Sequence, residues 1–227
     1  MAVCKNTEIK SKKLFDYDFS TQKLVIGTDE AGRGCGAGGV FAAAVCFDNI
    51  SDRLIEKLSI LNDSKKLSKK HREELFEIVK SETINSVVCI EVEEIERINI
   101  LNASLKAMNI ACTDVISRLP DSLKTKELEV LVDGNRAIRN FSYPQRSIIK
   151  GDSTSASIAA ASILAKVSRD RYMLSLDEKY PQYNWRENAG YLTKEHMTLI
   201  DKYGISPFHR PSYLRKHFAK QEQLSLF

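Results

Sequence analysis

Residues 24–34 read LVIGTDEAGRG, an apolar run followed by two acids and a glycine-rich turn. A short apolar run bounded by turn residues is typical of a buried strand rather than a helix. Asp29 and Glu30 therefore fall at the C-terminal end of a strand. The stretch predicts a pair of carboxyl groups at one edge of a sheet.

Strands and helices alternate along the rest of the chain, which favours an α/β protein. Further strands are expected over residues 40–47, 87–92, 128–133 and 147–150. Apolar spacing and capping residues predict helices over residues 68–81, 93–119, 155–180 and 194–203. Residues 1–22 are expected to be a flexible lead-in, and residues 218–227 a flexible tail.

Composition is that of an ordinary globular protein. The 227 residues include 34 Lys and Arg against 30 Asp and Glu, and 43% are hydrophobic. No apolar run approaches the roughly 20 residues that span a bilayer, and residues 1–13 lack the apolar core of a secretion signal. The five cysteines form an odd set without a C-x-x-C pair. This favours reduced thiols and a cytoplasmic location over a disulfide framework.

Basic residues concentrate in two segments, residues 63–72 and residues 191–227. The second segment also holds three of the four histidines. Such clusters are able to follow a phosphate backbone. On charge alone, however, a solvated surface explains them better.

Acids lie at or near the ends of three predicted strands, as Asp29–Glu30, Asp133 and Asp152. Open α/β sheets place their sites at this edge. Carboxylates that converge repel one another unless a cation joins them, and their hard oxygens suit Mg²⁺ or Mn²⁺. Two such ions activate water and stabilise the leaving oxygen of an in-line displacement. The pattern therefore favours phosphodiester hydrolysis.

Strand geometry and capping offer other interpretations of these acids. Neighbours on a strand point to opposite faces, so we expect either Asp29 or Glu30 to lie where the strand breaks. Asp152 is alternatively a cap of the helix that follows it. Asp170 is interpreted as an exposed helical residue paired with a neighbouring arginine.

The glycines of residues 34–39, GCGAGG, match the dinucleotide fingerprint G-x-G-x-x-G. That fingerprint requires a following helix, whereas residues 40–47 are predicted to form a strand. We therefore interpret Gly32-Arg33-Gly34 as a turn whose backbone N–H groups approach a sugar or phosphate.

A series of motifs across the chain resembles the type 2 ribonucleases H, the bacterial ribonuclease HII family. In order, the motifs are DEAGRG (29–34), DSKKLS (63–68), NILNA (99–103), VDGN (132–135), KGD (150–152), AAASILAKV (159–167), GY (190–191) and HRPSY (209–213). An isolated Asp-Glu pair carries little information, but this ordered series is highly specific.

The resemblance implies an RNase H-like mixed β-sheet flanked by helices. It implies a catalytic domain over residues 23–190 and a smaller C-terminal helical, substrate-binding part over residues 191–217. The implied activity is a metal-dependent endoribonuclease that hydrolyses the RNA strand of RNA/DNA hybrids. It also incises 5′ of single ribonucleotides in duplex DNA, leaving a 3′-OH and a 5′-phosphate. Such an enzyme is expected to be a monomer that serves ribonucleotide repair or primer removal.

The family motifs assign roles to particular residues. The implied catalytic acids, which bind two Mg²⁺ or Mn²⁺ ions, are Asp29, Glu30, Asp133 and Asp152. The implied substrate contacts are Gly32, Arg33, Gly34, Lys65, Lys66 and Tyr191. Within that set the Gly-Arg-Gly turn reads the 2′-OH, Tyr191 stacks at the RNA–DNA junction, and the two lysines contact phosphates.

Three positions depart from the family pattern. Cys35 and Gly39 stand where proline is usual, and Ala189 stands where a basic residue is frequent. Loss of both prolines predicts a less rigid loop. Loss of the basic residue predicts a weaker phosphate contact.

The last five residues, Gln223-Leu224-Ser225-Leu226-Phe227, resemble the peptide by which many bacterial replication and repair proteins bind the sliding clamp. Gln223, Leu224, Leu226 and Phe227 carry the likeness. Large apolar side chains after a polar stretch are typical of a docking peptide that orders on binding. The alternative is a tail that folds back over the core of the domain.

Two other functions remain open. One is a different RNase H-like nuclease, such as a junction resolvase; the Gly-Arg-Gly turn and Tyr191 argue against it, because a DNA-only nuclease needs no reader of the 2′-OH. The other is a non-catalytic binder of hybrids or clamps. The complete set of four acids argues against this second function, since acids without a cation repel phosphate.

Overall fold

A five-stranded mixed sheet forms the centre of the computed structural model, which describes residues 10–62, 64 and 67–224. The strands are β1 (Leu24–Ala31), β2 (Val40–Cys46), β3 (Ile84–Ile90), β4 (Leu128–Asp133) and β5 (Gln145–Ile148). Their order across the sheet is β3-β2-β1-β4-β5. β2 is antiparallel to β1 and β3, whereas β1, β4 and β5 are parallel. The predicted α/β class with a mixed sheet is confirmed.

Helices cover both faces of this sheet. They are α1 (Lys10–Ser20), α2 (Asp52–Lys57), α3 (Lys69–Glu82), α4 (Val92–Ile98), α5 (Ile100–Ser117), α6 (Asp121–Lys124), α7 (Ala156–Lys179), α8 (Trp185–Asn188), α9 (Lys194–Tyr203) and α10 (Pro211–Leu224). On one face α5 packs through Met108 against Ile26 of β1. On the other, α7 packs through small residues such as Ala160 against Val45 of β2. Burial of these apolar surfaces supplies the main stabilisation.

Helix α1 shows that the predicted flexible lead-in over residues 1–22 is wrong from residue 10 onward. Leu14 and Phe15 are buried in the core shared with α7. Asp18 accepts hydrogen bonds from the Ser157 backbone N and Oγ, both at 2.8 Å. A carboxylate at the first turn of a helix satisfies its unpaired N–H groups and its positive end. Residues 1–9 lie outside the described part of the chain.

Asn99 divides the helix that was predicted over residues 93–119 into α4 and α5. Its φ is 67°, and its Oδ1 accepts a hydrogen bond from Asn102 N at 3.1 Å, which caps α5. Ile95 before the break and Leu105 after it belong to the same core. The apolar periodicity therefore continues across the break and conceals it in the sequence.

Gly27 allows α7 to approach β1 directly. A Cβ at this position would lie 2.2 Å from Ile158 N and from the Ser157 carbonyl carbon. Any side chain here would push the helix away from the strand. Gly27 thus fixes the first turn of α7 beside the strand end that carries Asp29.

The C-terminal part contains α9 and α10. Helix α9 has the predicted bounds, and its N-cap Thr193 accepts a hydrogen bond from His196 N at 3.1 Å. Helix α10 continues to Leu224, so the predicted flexible tail over residues 218–227 is wrong as far as residue 224. These residues contain no glycine or proline after Pro211 to end the helix. Gln223 and Leu224 lie within α10, whereas Leu226 and Phe227 lie outside the described residues.

Within the described chain, the thiols of Cys35, Cys46, Cys89 and Cys112 are free. Burial raises the pKa of both Cys46 and Cys112 to about 12, so these thiols are not poised as nucleophiles. No helix of residues 10–62, 64 and 67–224 has the length and apolar character needed to cross a membrane.

Candidate active site

A cavity of about 240 Å³ opens at the C-terminal end of β1. Its lining includes Asp29, Glu30, the Gly32-Arg33-Gly34 turn, Ser64, Ser162, Lys166, Arg169 and Tyr191. The structure therefore brings the acidic pair, the glycine turn and Tyr191 to one place. Three residues of α7 also face this cavity and were not predicted as site residues.

Asp29 and Glu30 both belong to β1, so the prediction that one of them lies where the strand breaks is wrong. Pairing of β1 with β2 continues through Ala31, but its pairing with β4 ends at Thr28. Both carboxyl groups still line the same cavity. Asp29 Oδ1 accepts a hydrogen bond from Glu30 N at 2.7 Å, which fixes one carboxylate against the strand.

Asp133 is the last residue of β4, as predicted, and its Oδ1 accepts a hydrogen bond from Gly151 N at 2.7 Å. This contact joins the strand end to the turn that carries Asp152. Asp152 lies in a short 3₁₀ helix, Gly151–Ser153. The N-cap of α7 is Ser155, which accepts a hydrogen bond from Ile158 N, so the alternative of Asp152 as that cap is wrong.

The four acids act on one another electrostatically. Burial raises the pKa of Asp29 well above its usual value, and the charges of Glu30, Asp133 and Asp152 raise it further. A set of hard carboxylate oxygens under mutual repulsion fits a divalent cation, which would favour the ionised form. Among residues 10–62, 64 and 67–224, no three Asp, Glu, His or Cys side chains form a ready ligand group.

The Gly-Arg-Gly turn requires glycine at its first position. Gly32 has φ +97°, and a Cβ there would lie 2.1 Å from Arg169 Nε. At the second position, the exposed Arg33 places Nη1 3.0 Å from Glu30 Oε1. At the third position, a Cβ on Gly34 would face Tyr191, at 4.0 Å from Cε1.

Two fully buried arginines hold the backbone around this turn. Arg210 donates from Nε and Nη2 to Gly38 O at 2.9 and 2.6 Å, and from Nη1 to Gly32 O at 2.9 Å. Arg169 donates to Ala189 O at 2.9 Å and to Ala37 O at 3.0 Å. The fixed fork of a guanidinium suits several carbonyl acceptors at once. The loop lacks the two prolines that are usual in the family, but these arginine hydrogen bonds hold its backbone.

Tyr191 stands at the mouth of the cavity with 49% of its surface exposed. The nearby Cys35 and partial burial raise the pKa of its hydroxyl. Cys35 itself is fully buried, in agreement with its interpretation as a small filler. An exposed ring on a fixed backbone is suited to stacking against a base or sugar.

The sequence also singled out Lys65, Lys66 and Asp170. Lys65 and Lys66 lie outside the described residues, while the neighbouring Ser64 lines the cavity. Asp170 is half-buried and pairs with Lys166 at 2.6 Å, so the expected arginine partner is wrong.

The C-terminal basic segment is not a uniform solvated surface, because His196, His209 and Arg210 are all buried. Sequence reasoning missed these three as structural residues and missed Arg169 as well. The only signal was that His209 and Arg210 lie within the HRPSY motif and that Arg169 follows the AAASILAKV motif closely.

Comparison with solved structures defines the class of protein. The structure of the PCNA:RNase HII complex from Archaeoglobus fulgidus contains a similar chain, with a TM-score of 0.64 and 26% sequence identity. The likeness covers 82% of this chain and 93% of that one. Together with the acids at the sheet edge, it identifies an RNase H-like nuclease fold.

Sequence relatives identify the family. The Ribonuclease HII family matches residues 26–221. Ribonuclease HII of Rickettsia akari is 48% identical over 190 residues, which cover 84% of this chain and 91% of the relative. Ribonuclease HII of Fusobacterium nucleatum subsp. nucleatum is 46% identical over 218 residues, which cover 95% and 97%. The chain belongs to the ribonuclease HII family and is a type 2 ribonuclease H, a phosphodiester hydrolase.

Proposed function

We propose that this ribonuclease requires Mg²⁺ or Mn²⁺ and incises 5′ of single ribonucleotides in duplex DNA, leaving a 3′-OH and a 5′-phosphate. It also hydrolyses the RNA strand of longer RNA/DNA hybrids. The observation that carries the proposal is the cavity that joins an acidic strand end, a glycine turn and an exposed tyrosine. One side of the cavity supplies carboxylates for chemistry, and the other supplies contacts for recognition.

The acids that would hold the ions are Asp29, Glu30, Asp133 and Asp152. When bound, two such ions activate the attacking water and stabilise the leaving oxygen. The chain itself orients the carboxylates through backbone donors, Glu30 N for Asp29 and Gly151 N for Asp133. Arg33 forms an ion pair with Glu30. This pair links the carboxylates to the Gly-Arg-Gly turn, which we call the recognition turn.

Recognition of RNA would fall on the Gly-Arg-Gly turn and Tyr191. The 2′-OH distinguishes RNA from DNA and lies in the wide minor groove of an A-form duplex. Gly34 has no side chain to keep the strand away, and it is exposed beside Tyr191. Backbone groups held by Arg210 and Arg169 can therefore approach the sugar at a constant position.

The test uses a labelled DNA duplex that contains one ribonucleotide, with Mg²⁺ or Mn²⁺ and an EDTA control. Asp133→Asn is assayed beside the wild type, because Asn keeps an acceptor for Gly151 N while it removes the charge. We expect a metal-dependent nick 5′ of the ribonucleotide, which is lost in the variant and absent on all-DNA duplex.

Other results would replace parts of the proposal. Cleavage of a longer hybrid without a nick at the single ribonucleotide would keep the enzyme class and contradict the junction specificity. The departures from the family pattern at Cys35 and Ala189 would then be the positions to mutate. Absence of cleavage of both substrates by folded protein would favour a binding function.

We also propose that residues 223–227 bind a sliding clamp. The Archaeoglobus fulgidus relative was solved in complex with PCNA, which is a sliding clamp. Such a contact raises the local concentration of the enzyme on DNA without taking part in the chemistry.

Deletion of residues 223–227 tests this partner. We expect the deletion to abolish binding to a bacterial clamp and to leave cleavage of short oligonucleotides unchanged. Leu226→Ala with Phe227→Ala should reproduce the loss, whereas Ser225→Ala serves as a matched control inside the same peptide. Equal clamp affinity in the wild type and the deletion variant would contradict the proposal.

A further inference from the structure

His196 and His209 form a buried pair beneath Tyr191. The two rings are 0% and 1% exposed, and their Nε2 atoms lie 3.1 Å apart. Trp185 Nε1 donates to His196 Nε2 at 3.1 Å, and His196 Nδ1 lies 2.9 Å from Tyr191 O. The pair thus connects the interior of the C-terminal part to the backbone of the exposed tyrosine.

The surrounding donors allow one arrangement of protons. Ser206 N donates to His209 Nδ1 at 2.9 Å, so that nitrogen is an acceptor and a neutral His209 carries its proton on Nε2. His209 Nε2–H then donates to His196 Nε2, which also accepts from Trp185. His196 must therefore carry its own proton on Nδ1 and donate it to Tyr191 O.

The segment that carries His209 also contacts the recognition turn, because Arg210 Nη1 donates to Gly32 O at 2.9 Å. Residues on both sides of His209 bond to the loop after that turn: Gly38 N donates to Phe208 O at 2.8 Å, and Arg210 N donates to Gly36 O at 2.7 Å. The same short segment therefore contacts the turn directly and Tyr191 through the histidines. Thr193 N is the second donor to Tyr191 O, at 2.8 Å.

We propose that His196 and His209 are positioning residues for substrate recognition: as a neutral pair with fixed tautomers, they hold Tyr191 in register with the Gly-Arg-Gly turn. The proposal rests on the proposed role of Tyr191 at the RNA–DNA junction. Neither histidine contacts the substrate. The ring that stacks stays exposed, while its backbone carbonyl is held from below.

The pair is stable in the neutral form. Burial lowers the pKa of His209 to about 4, assisted by His196, and burial also lowers the pKa of His196. The titratable groups that face the pair are Tyr183, whose ring centroid is 4.6 Å from that of His209, and Glu195, whose charge opposes the shift at His196. A charged His196 would turn an N–H against the Trp185 Nε1–H, and a charged His209 would turn one against the backbone N–H of Ser206.

The sign of the pH dependence follows from these lowered pKa values. An unfolded histidine binds a proton near pH 6.5. The stabilisation is therefore complete above that pH and is lost as pH falls toward the folded pKa. At pH 7 both rings are neutral and the network is intact.

The tautomers are directly measurable by ¹⁵N NMR of the histidine rings in the wild-type protein at pH 7. We expect His196 to be the Nδ1–H tautomer and His209 the Nε2–H tautomer, both neutral. A different tautomer or a charged ring at either position would overturn the proposal, whatever the behaviour of any variant.

Two variants of one residue test the role in recognition. His196→Asn keeps a donor near the position of Nδ1. His196→Gln lacks that donor but keeps an acceptor near the position of Nε2. Each variant removes part of the hydrogen bonding of the His196 ring, so we expect the two variants to have similar effects on folding. We expect KM for the single-ribonucleotide duplex to be higher in His196→Gln than in His196→Asn, by about fivefold, with similar kcat.

Asn109→Gln is the control, because Asn109 lies on α5, outside the C-terminal part and the cavity, and donates from Nδ2 to Arg139 O at 3.0 Å. It should leave KM unchanged. Equal KM values for His196→Gln and His196→Asn, with nicking by the wild type intact, would contradict the role of the pair alone. A wild-type protein that does not nick this duplex would instead contradict the proposed function.

Discussion

The acidic strand end and the Gly-Arg-Gly turn share one cavity but are stabilised in opposite ways. Each of Asp29 and Asp133 is oriented by one backbone N–H, and burial, together with repulsion from the neighbouring acids, raises the pKa of Asp29. The turn is supported by buried Arg210 and Arg169, which satisfy four backbone carbonyls. The proposed catalytic side therefore gathers repelling charges, whereas the proposed recognition side is held by hydrogen bonds from buried side chains.

Because of this difference, mutations on the two sides should affect activity and stability differently. Removing a charge from the acidic edge relieves repulsion, so function falls without a loss of stability. Removing a donor from the turn leaves buried carbonyls without partners, so stability falls together with recognition. The same contrast predicts that kcat depends on the acids and KM on the support of the turn.

Asp133→Asn should give the largest effect on activity. We expect cleavage to fall on the order of a thousandfold or more, because a charged oxygen ligand is lost. The midpoint of thermal unfolding without metal should stay the same or rise, since one repelling charge is removed while the acceptor for Gly151 N remains. A strong fall in that midpoint would show that the carboxylate is mainly structural.

Arg210→Lys should give the largest effect on stability. A lysine keeps the charge but replaces the three donating nitrogens of the planar guanidinium by one, so we expect a loss of about 2–4 kcal/mol in urea unfolding. The matched control is Arg215→Lys, an exposed position on α10, which should change stability very little. Equal costs at the two positions would contradict a supporting role for Arg210.

Gly32→Ala and Gly134→Ala separate backbone strain from steric contact. Both glycines have φ +97°, but only Gly32 has a close neighbour, Arg169 Nε at 2.1 Å from the added Cβ. Each change should cost about 1–2 kcal/mol for the left-handed backbone. Gly32→Ala should cost more, because Arg169 must move, and equal unfolding energies would show that Arg169 yields freely.

Apolar runs and strand ends were sufficient to predict the central part of the site. Asp133 closes β4 as expected, because a buried strand of Val and Leu has few other structures available. Helix α9 was predicted with its cap, since Thr193 supplies a local acceptor. These features depend on neighbours in the sequence.

Features that depend on distant contacts were not predictable. Charged residues and histidines are usually exposed, so nothing local marked Arg169, Arg210 and His196 as buried. Their partners are carbonyls at residues far away in the chain, such as Ala37 for Arg169. The break at Asn99 was hidden for the same reason, because both halves of the helix pack on one core.

The contact of α7 with Gly27 has a geometric consequence. Ser157 of α7 touches the strand at Gly27, and Arg169 of the same helix lies beneath Gly32. The two residues are twelve positions apart on this helix, which corresponds to a rise of about 18 Å at 1.5 Å per residue. The length of α7 between these contacts therefore sets the distance between the sheet at Gly27 and the recognition turn at Gly32. A single inserted residue between the two contacts would rotate Arg169 by about 100° and withdraw it from the turn.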